Sequence, residues 1–154
     1  MVKQWVDKLK PSNVLDLGCG IGLFGYVFDY LGIDYKGYEL SDHAVKISKI
    51  KNIKQGDVTK DLKEKDNDLV LVLDVLEHIE EEDLERTLNY IKEYGNIYIF
   101  SIPYIGDPNL DNDSTHRIFR EKTWWKEKLS KYLQIEEVPA EWAFSHQLLI
   151  GRKK

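Results

Sequence analysis

The stretch Val14-Leu15-Asp16-Leu17-Gly18-Cys19-Gly20-Ile21-Gly22 joins an apolar run to closely spaced glycines. Glycines let a backbone turn tightly and lie close to a ligand, with a helix N-terminus just beyond to face it. Taken alone, the same stretch is equally a tight strand-to-helix turn in an ordinary α/β core. Glu39 follows after about 20 residues, the spacing at which an acid ending a second strand accepts hydrogen bonds from ribose hydroxyls. Asp57 with Val58 sets a carboxylate beside an apolar side chain, a pair suited to an adenine amino group. Each acid singly is also a plain solvated strand end. Glycine loop and acids together, at the ends of three successive strands, point to a nucleoside-binding site.

The glycine spacing narrows the ligand. A dinucleotide fingerprint, G-x-G-x-x-G, needs a third glycine where this chain has Leu23. The pattern is instead D-x-G-x-G-x-G, formed by Asp16, Gly18, Gly20 and Gly22. An acid near the loop suits a cationic ligand better than a pyrophosphate. S-adenosylmethionine carries a ribose, an adenine, an ammonium and a sulfonium, and no phosphate.

The elements that position these residues follow from periodicity. Residues 2–9 read as a short helix stopped by Pro11. Asn13 to Leu17 reads as a buried strand, and about 22–31 as a helix with Phe24, Val27, Phe28 and Leu31 at helical spacing. Gly32 stands at a C-terminal cap position. Tyr35 to Leu40 is a second strand, Ser41 or Asp42 caps the next helix, and Ile53 to Gly56 is a third strand. Leu69 to Leu73 is an unbroken apolar run, as in a parallel strand covered on both faces. Glu80 to Tyr94 is an amphipathic helix with acids in its first turn, and Asn96 to Ile102 is a fifth strand. A polar loop at 103–119 is longer than most connections in a compact domain, which points to function or mobility. A helix at about 121–132 carries Trp124 and Trp125, one for the core and one reaching the surface; strands at 135–138 and 145–151 close the chain. This alternation predicts a doubly wound, Rossmann-like α/β fold with a mostly parallel sheet and right-handed crossovers.

With these residues on the page, the chain resembles the class I S-adenosylmethionine-dependent methyltransferases, and within them the small group similar to quinone-biosynthesis methyltransferases. The resemblance spans about residues 12–151. It rests on VLDLGCGIG (14–22), Glu39, Gly56-Asp57-Val58, the segment from Asp68 through Asp74 to Glu77-His78-Ile79, and His116-Arg117-Ile118-Phe119. It implies a seven-stranded sheet with an antiparallel C-terminal strand, supplied by 145–151. It also implies a cofactor site of Asp16, Gly18, Cys19, Gly20, Glu39, Leu40, Asp57, Val58 and Asp74. In it Asp16 would help hold the ammonium and Gly18 and Gly20 would pass under the methionyl part. Glu39 would take the ribose, Asp57 and Val58 would border adenine, and Asp74 would face the methionyl group or the reacting methyl.

Methyl transfer is an in-line displacement on an already activated sulfonium, so alignment and exclusion of water come first. A base is needed only where the nucleophile must lose a proton. His78, His116 and Tyr104 are the catalytic candidates, with Asp74 and Glu77 behind them. Each has a plainer reading: His78 bonding nearby backbone, His116 anchoring a loop, Tyr104 packing.

Composition bounds the rest. The 154 residues fit one domain spanning 1–154, with 42% hydrophobic and 32% charged residues. A net charge of −5 argues against a general nucleic-acid binder and leans toward a small-molecule acceptor. The single cysteine, Cys19, excludes an intrachain disulfide and a cysteine metal cage, and no metal site is assigned, the Glu80–Asp83 acids included. The first ten residues lack the apolar core of a signal peptide, and no apolar run approaches a membrane span, so a cytoplasmic setting is expected. A short segment before the first strand leaves three ways to close the acceptor site: the 103–119 loop, an open pocket for a bulky acceptor, or a partner subunit. Composition and motif leave the acceptor and the oligomeric state open. The competing readings are a methyltransferase-like binding module without its own catalysis and a nicotinamide-dependent oxidoreductase. Leu23 and the lack of a Tyr-x-x-x-Lys pair count against the oxidoreductase.

Overall fold

Alternating side chains of the strand Asn67–Leu73 explain its central place: every residue from Leu69 to Val72 is buried, and successive ones enter opposite layers. Leu69 and Leu71 pack with Val14, Ile99, Phe28 and Trp5 on one face of the sheet. Val70 and Val72 pack on the other with Leu15, Phe100, Leu84, Leu88 and Trp125. A strand apolar on both faces belongs in the interior of a parallel sheet covered by helices. The computed structural model describes residues 2–107, 110, 113–138 and 148–154.

In chain order the elements are α1 (Val2–Leu9), β1 (Asn13–Leu17), α2 (Leu23–Tyr30), β2 (Asp34–Glu39), α3 (Asp42–Ile47) and β3 (Ile53–Gln55). Then come β4 (Asn67–Leu73), a 3-10 turn (Leu76–His78), α4 (Glu81–Ile91), β5 (Gly95–Ser101), α5 (Lys122–Ser130), β6 (Leu133–Glu137) and β7 (Leu148–Lys153). Among the described residues the strands form one seven-stranded sheet in the order β3-β2-β1-β4-β5-β7-β6. The pairs from β3 to β5 are parallel, whereas β7 runs antiparallel to both β5 and β6. The expected doubly wound sheet with a C-terminal antiparallel strand is therefore present, β7 lying inserted between β5 and β6. Residues 145–147 of the expected last strand lie outside the described residues.

Boundaries move where polar residues join an element. β4 begins at Asn67, earlier than its apolar run, because Asn67 pairs with Gly95 while its side-chain amide donates to the Tyr94 carbonyl at 2.7 Å. α4 stops at Ile91, short of the expected Tyr94, whose hydroxyl instead accepts from the Leu62 backbone N–H at 2.9 Å. Ser41 is the cap of α3, accepting from the Ala44 N–H. Trp125 is buried against β5's layer, and Trp124 packs at its margin between the Arg120 and Lys128 cations. No helix among the described residues is long and apolar enough to cross a membrane.

Candidate active site

From β1 the chain moves outward to β2 and β3, then returns to place β4 on β1's other side. That reversal makes a crevice at the carboxyl ends of β1 and β4, the position where open α/β sheets bind ligands. A cavity of about 570 Å³ opens there, lined on one side by Gly18, Glu39, Leu40, Asp57 and Val58. Asp74, Val75, His78 and Ile79 form its other side, with Thr115 and Arg117 from the 103–119 loop.

The glycine loop is held by hydrogen bonds that leave its surface to a ligand. The Gly18 and Cys19 N–H groups both donate to the Tyr38 carbonyl, tying the turn to β2. Gly18 has φ of 70°, and a Cβ there would run into the Val75 side chain; at Gly20 a Cβ would meet nothing within 4 Å. Gly20, at φ 56°, shares the left-handed backbone that favours glycine, but only Gly18 is also closed by packing; Gly20 leaves open space against the backbone. Glu39 closes the loop: one carboxylate oxygen accepts from the Gly20 N–H at 2.9 Å and the other from the Ser41 N–H at 2.8 Å. Each oxygen keeps lone-pair capacity for a ribose hydroxyl. Asp57 Oδ1 accepts from both the backbone and the hydroxyl of Thr59, which fixes the carboxylate at the cavity wall.

Asp16 lies beneath this surface, 2% exposed, and its Oδ2 accepts from the Tyr35 hydroxyl at 2.7 Å. Burial pushes its pKa up to about 7, partly offset by the Tyr35 hydrogen bond, and the Glu39 charge raises it further. Negative potential at a buried site is what a cationic ligand needs. The same surroundings push Cys19 up to about 12, through burial and then the charges of Asp16 and Glu39. Its thiol is consequently no nucleophile, and its side chain packs in the α1–α2 layer of the core against Gly37.

The opposite end is built differently. Asp74 sits at φ 54°, in the left-handed region, and accepts from the Ser101 hydroxyl at 2.7 Å. The 3-10 turn that follows carries Glu77 inward. Its backbone carbonyl accepts from Arg117 and Ile118, pinning the end of the 103–119 loop to the turn. Its side chain is fully buried, and neither carboxylate oxygen has a hydrogen-bond partner among the described residues. Burial raises the Glu77 pKa to about 8, partly offset by its own backbone N–H, and the Asp74 and Asp113 charges add to the rise. His78 and His116 stand edge to face with centroids 4.7 Å apart.

Both imidazole tautomers follow from their partners. Thr115 Oγ1 lies 2.6 Å from Asp113 Oδ1 and gives its only hydrogen there. Its 2.9 Å contact with His78 Nδ1 is therefore donated by the histidine. His116 Nδ1 lies 2.8 Å from the Leu110 carbonyl, which can only accept. In both rings the neutral form thus leaves Nε2 as the lone-pair atom. Burial and the neighbouring His116 hold the His78 pKa below the ordinary histidine range.

The structure brings Gly18, Glu39, Leu40, Asp57, Val58, Asp74 and His78 to one cavity, with Gly20 on the adjoining loop, bonded to Glu39, and Asp16 buried at the end of β1. His116 meets His78 edge to face and is buried. Tyr104 is not among the residues lining this cavity; the Lys122 ammonium lies over its ring, 5.8 Å from the centroid. Sequence reasoning missed Thr115 and Arg117 as cavity residues, although Arg117 stands within the His116–Phe119 segment that carried the resemblance. It also ranked Glu77 last, since nothing in its neighbours announces a fully buried carboxylate.

This site and sheet define a Rossmann-like methyltransferase fold of class I. The model of the family described as "Methyltransferase domain" matches residues 3–128, and the chain belongs to that family. Its members are S-adenosylmethionine-dependent enzymes by class, and this chain is a methyltransferase. Among solved structures it is similar to a SAM-dependent methyltransferase from Archaeoglobus fulgidus, with TM-score 0.75 and 20% identity over 99% of this chain and 91% of that one. A TehB-like SAM-dependent methyltransferase from Corynebacterium glutamicum matches with TM-score 0.74 and 19% identity, covering 98% of this chain and 86% of that one. Both likenesses concern the fold. A 23S rRNA (uracil-C5) methyltransferase from Shewanella pealeana is 42% identical over 48 residues, which is 31% of this chain and only 13% of that protein.

Proposed function

We propose that the chain acts as a single domain that transfers the methyl group of S-adenosylmethionine to a nucleophilic atom of a small-molecule acceptor. The observation that carries this reading is one cavity lined by Gly18, Glu39 and Asp57 at one end and by Asp74 and His78 at the other. The donor fits the residues present. Gly20 leaves open space over the backbone, and the buried Asp16 carboxylate offers negative charge to an ammonium. When bound, the donor supplies an electrophilic methyl on a sulfonium.

In this reading Glu39 takes the ribose hydroxyls on oxygens already oriented by Gly20 and Ser41. Asp57 reads the adenine amino group beside the Val58 and Leu40 side chains. Asp74, fixed by Ser101, borders the methionyl end. His78 and Arg117 then line the acceptor side of the cavity. Such positioning supplies much of what a displacement on an activated carbon requires.

A small acceptor is favoured over a nucleic acid because the rim adds Glu80 and Asp83 to a chain of net charge −5. The affinity to the quinone-biosynthesis group and a cytoplasmic setting are parts of the same proposal. A thermal-shift titration tests it. At a hundred times its dissociation constant, donor or demethylated product stabilises by about 2.7 kcal/mol, or roughly 5–10 °C for a domain of this size. NADH produces no shift. Stabilisation by NADH and not by either sulfur compound would overturn the proposal.

A further inference from the structure

We propose that Tyr35 is a positioning residue for the donor: its buried hydroxyl holds the Asp16 carboxylate ready for the donor's ammonium, and donor binding therefore drives a proton off Asp16. The proposal deepens the donor reading above and rests on it.

The register of the sheet places the two groups together. In the β1–β2 pair Val14 stands opposite Tyr35, and Asp16 opposite Gly37. Directly paired residues share a face, so all four belong to the α1–α2 layer. Gly37 brings no side chain beside Asp16, and the Cys19 thiol fills that space instead, 2.6 Å from where a Gly37 Cβ would stand. Tyr35 is 2% exposed, and its ring stacks on Phe28 with centroids 5.9 Å apart. Gly25 of α2 lets the ring in, since a Cβ there would lie 2.8 Å from Tyr35 Cε1. α2 thus fixes the ring through Phe28 and Gly25, with the hydroxyl 2.7 Å from Asp16 Oδ2.

Packing alone does not ask for this hydroxyl. A phenylalanine would fill the same apolar slot, and a buried hydroxyl costs free energy unless it is hydrogen-bonded. Among the described residues, Tyr35 is the one hydrogen-bond partner of the Asp16 side chain. A hydroxyl that donates favours the ionised carboxylate, against the burial that favours the neutral acid, and the balance leaves Asp16 at about 7. The other titratable groups facing it are Cys19 on the glycine loop, pushed up to about 12, and Glu39 at the end of β2, whose charge raises Asp16. Tyr35 itself is driven far above its ordinary value, by burial and then by the Asp16 charge. β4 pairs Leu71 with Asp16, and the α2 residues against Tyr35 are Gly25 and Phe28, none of them titratable.

An ammonium arriving beside Asp16 is held by the ionised form. Below about pH 7 the neutral acid first gives its proton to solvent, and the ammonium takes the proton's place as counter-charge. Affinity then rises with pH until Asp16 is ionised in the free protein.

The probe is the demethylated product, which carries the same ammonium and no sulfonium, titrated calorimetrically into the full-length protein between about pH 5.5 and 7.5. In wild type the affinity should rise roughly 20-fold over this range and level off near its top. Tyr35→Phe should bind about tenfold more weakly at the upper end, the loss of one hydrogen bond to a charge, and its affinity should still be rising there. Asp16→Asn should bind weakly at every pH, with no slope. Tyr98→Phe, which loses a buried hydroxyl bonded to Lys92 and Gly95 in the opposite layer, should keep the wild-type profile. Circular dichroism checks that each variant folds. A wild-type affinity independent of pH, or a Tyr35→Phe profile coincident with wild type, would overturn the proposal. Carbon NMR titration of the Asp16 carboxyl in ligand-free protein separates it from the donor reading. Product bound by a protein whose Asp16 titration is unmoved by Tyr35→Phe would overturn the proposal and leave the donor reading standing. An Asp16 titration raised by Tyr35→Phe, with no product bound at any pH, would sink the donor reading and leave the hold of Tyr35 on Asp16 standing.

Discussion

The two ends of the cavity solve the same problem, holding polar groups where a ligand needs them, by opposite means. At the glycine-loop end the partners are largely backbone: Gly20 and Ser41 N–H groups satisfy Glu39, and Tyr38's carbonyl satisfies Gly18 and Cys19. At the histidine end they are side chains brought from distant parts of the chain, as with Thr115 and His78, 37 positions apart. At the histidine end, among the described residues, the buried Glu77 carboxylate has no hydrogen-bond partner. A backbone-built site suits a constant ligand such as a donor. A side-chain-built site can change without disturbing the fold, which is where acceptor choice belongs.

The comparison makes Asp16 the largest lever. Its folded pKa of about 7 lies above its unfolded value of 3.8, so the folded protein binds the extra proton between these values. Stability therefore falls as pH rises from about 4 to 7, by at most about 4 kcal/mol, and stays lower above that. Asp16→Asn removes this loss: urea unfolding at pH 8 should show a variant more stable by up to that amount, with its donor affinity reduced. A flat difference between variant and wild type from pH 4 to pH 8 would show that Asp16 is not the group responsible.

The smallest effect is expected at Tyr104. Its ring packs against Lys122 and is not among the cavity residues, so Tyr104→Phe should leave kcat and KM within about threefold once an acceptor is known. A loss of a hundredfold in kcat with KM unchanged would place its hydroxyl at the reacting atoms, extending the histidine end beyond the turn and loop assigned to it.

The same contrast explains what the sequence made legible. The donor end follows from contiguous signals: an apolar strand, spaced glycines, then single acids at the next two strand ends. The sheet follows for the same reason, because Leu69 to Leu73 can only be satisfied by cover on both faces. The histidine end was legible one residue at a time, with His78 and His116 both singled out, but not as a cluster. Glu77 is adjacent to His78 in sequence, yet its burial depends on Arg117 and Ile118 pinning the loop to its carbonyl. Local patterns carry no record of a loop that folds back. Asn67 and Tyr94 escaped for a related reason: their polar side chains bind backbone within the fold, whereas periodicity reads polar as exposed.

The most direct measurement is calorimetric titration of S-adenosylmethionine into wild type and Glu39→Ala, with a thermal melt to confirm that both are folded. The account predicts about 100-fold weaker binding by the variant, a loss of about 2.8 kcal/mol, in line with one or two hydrogen bonds to a charged acceptor. An affinity within threefold of wild type would contradict it, because the donor would then lie elsewhere than on the glycine-loop end of the cavity.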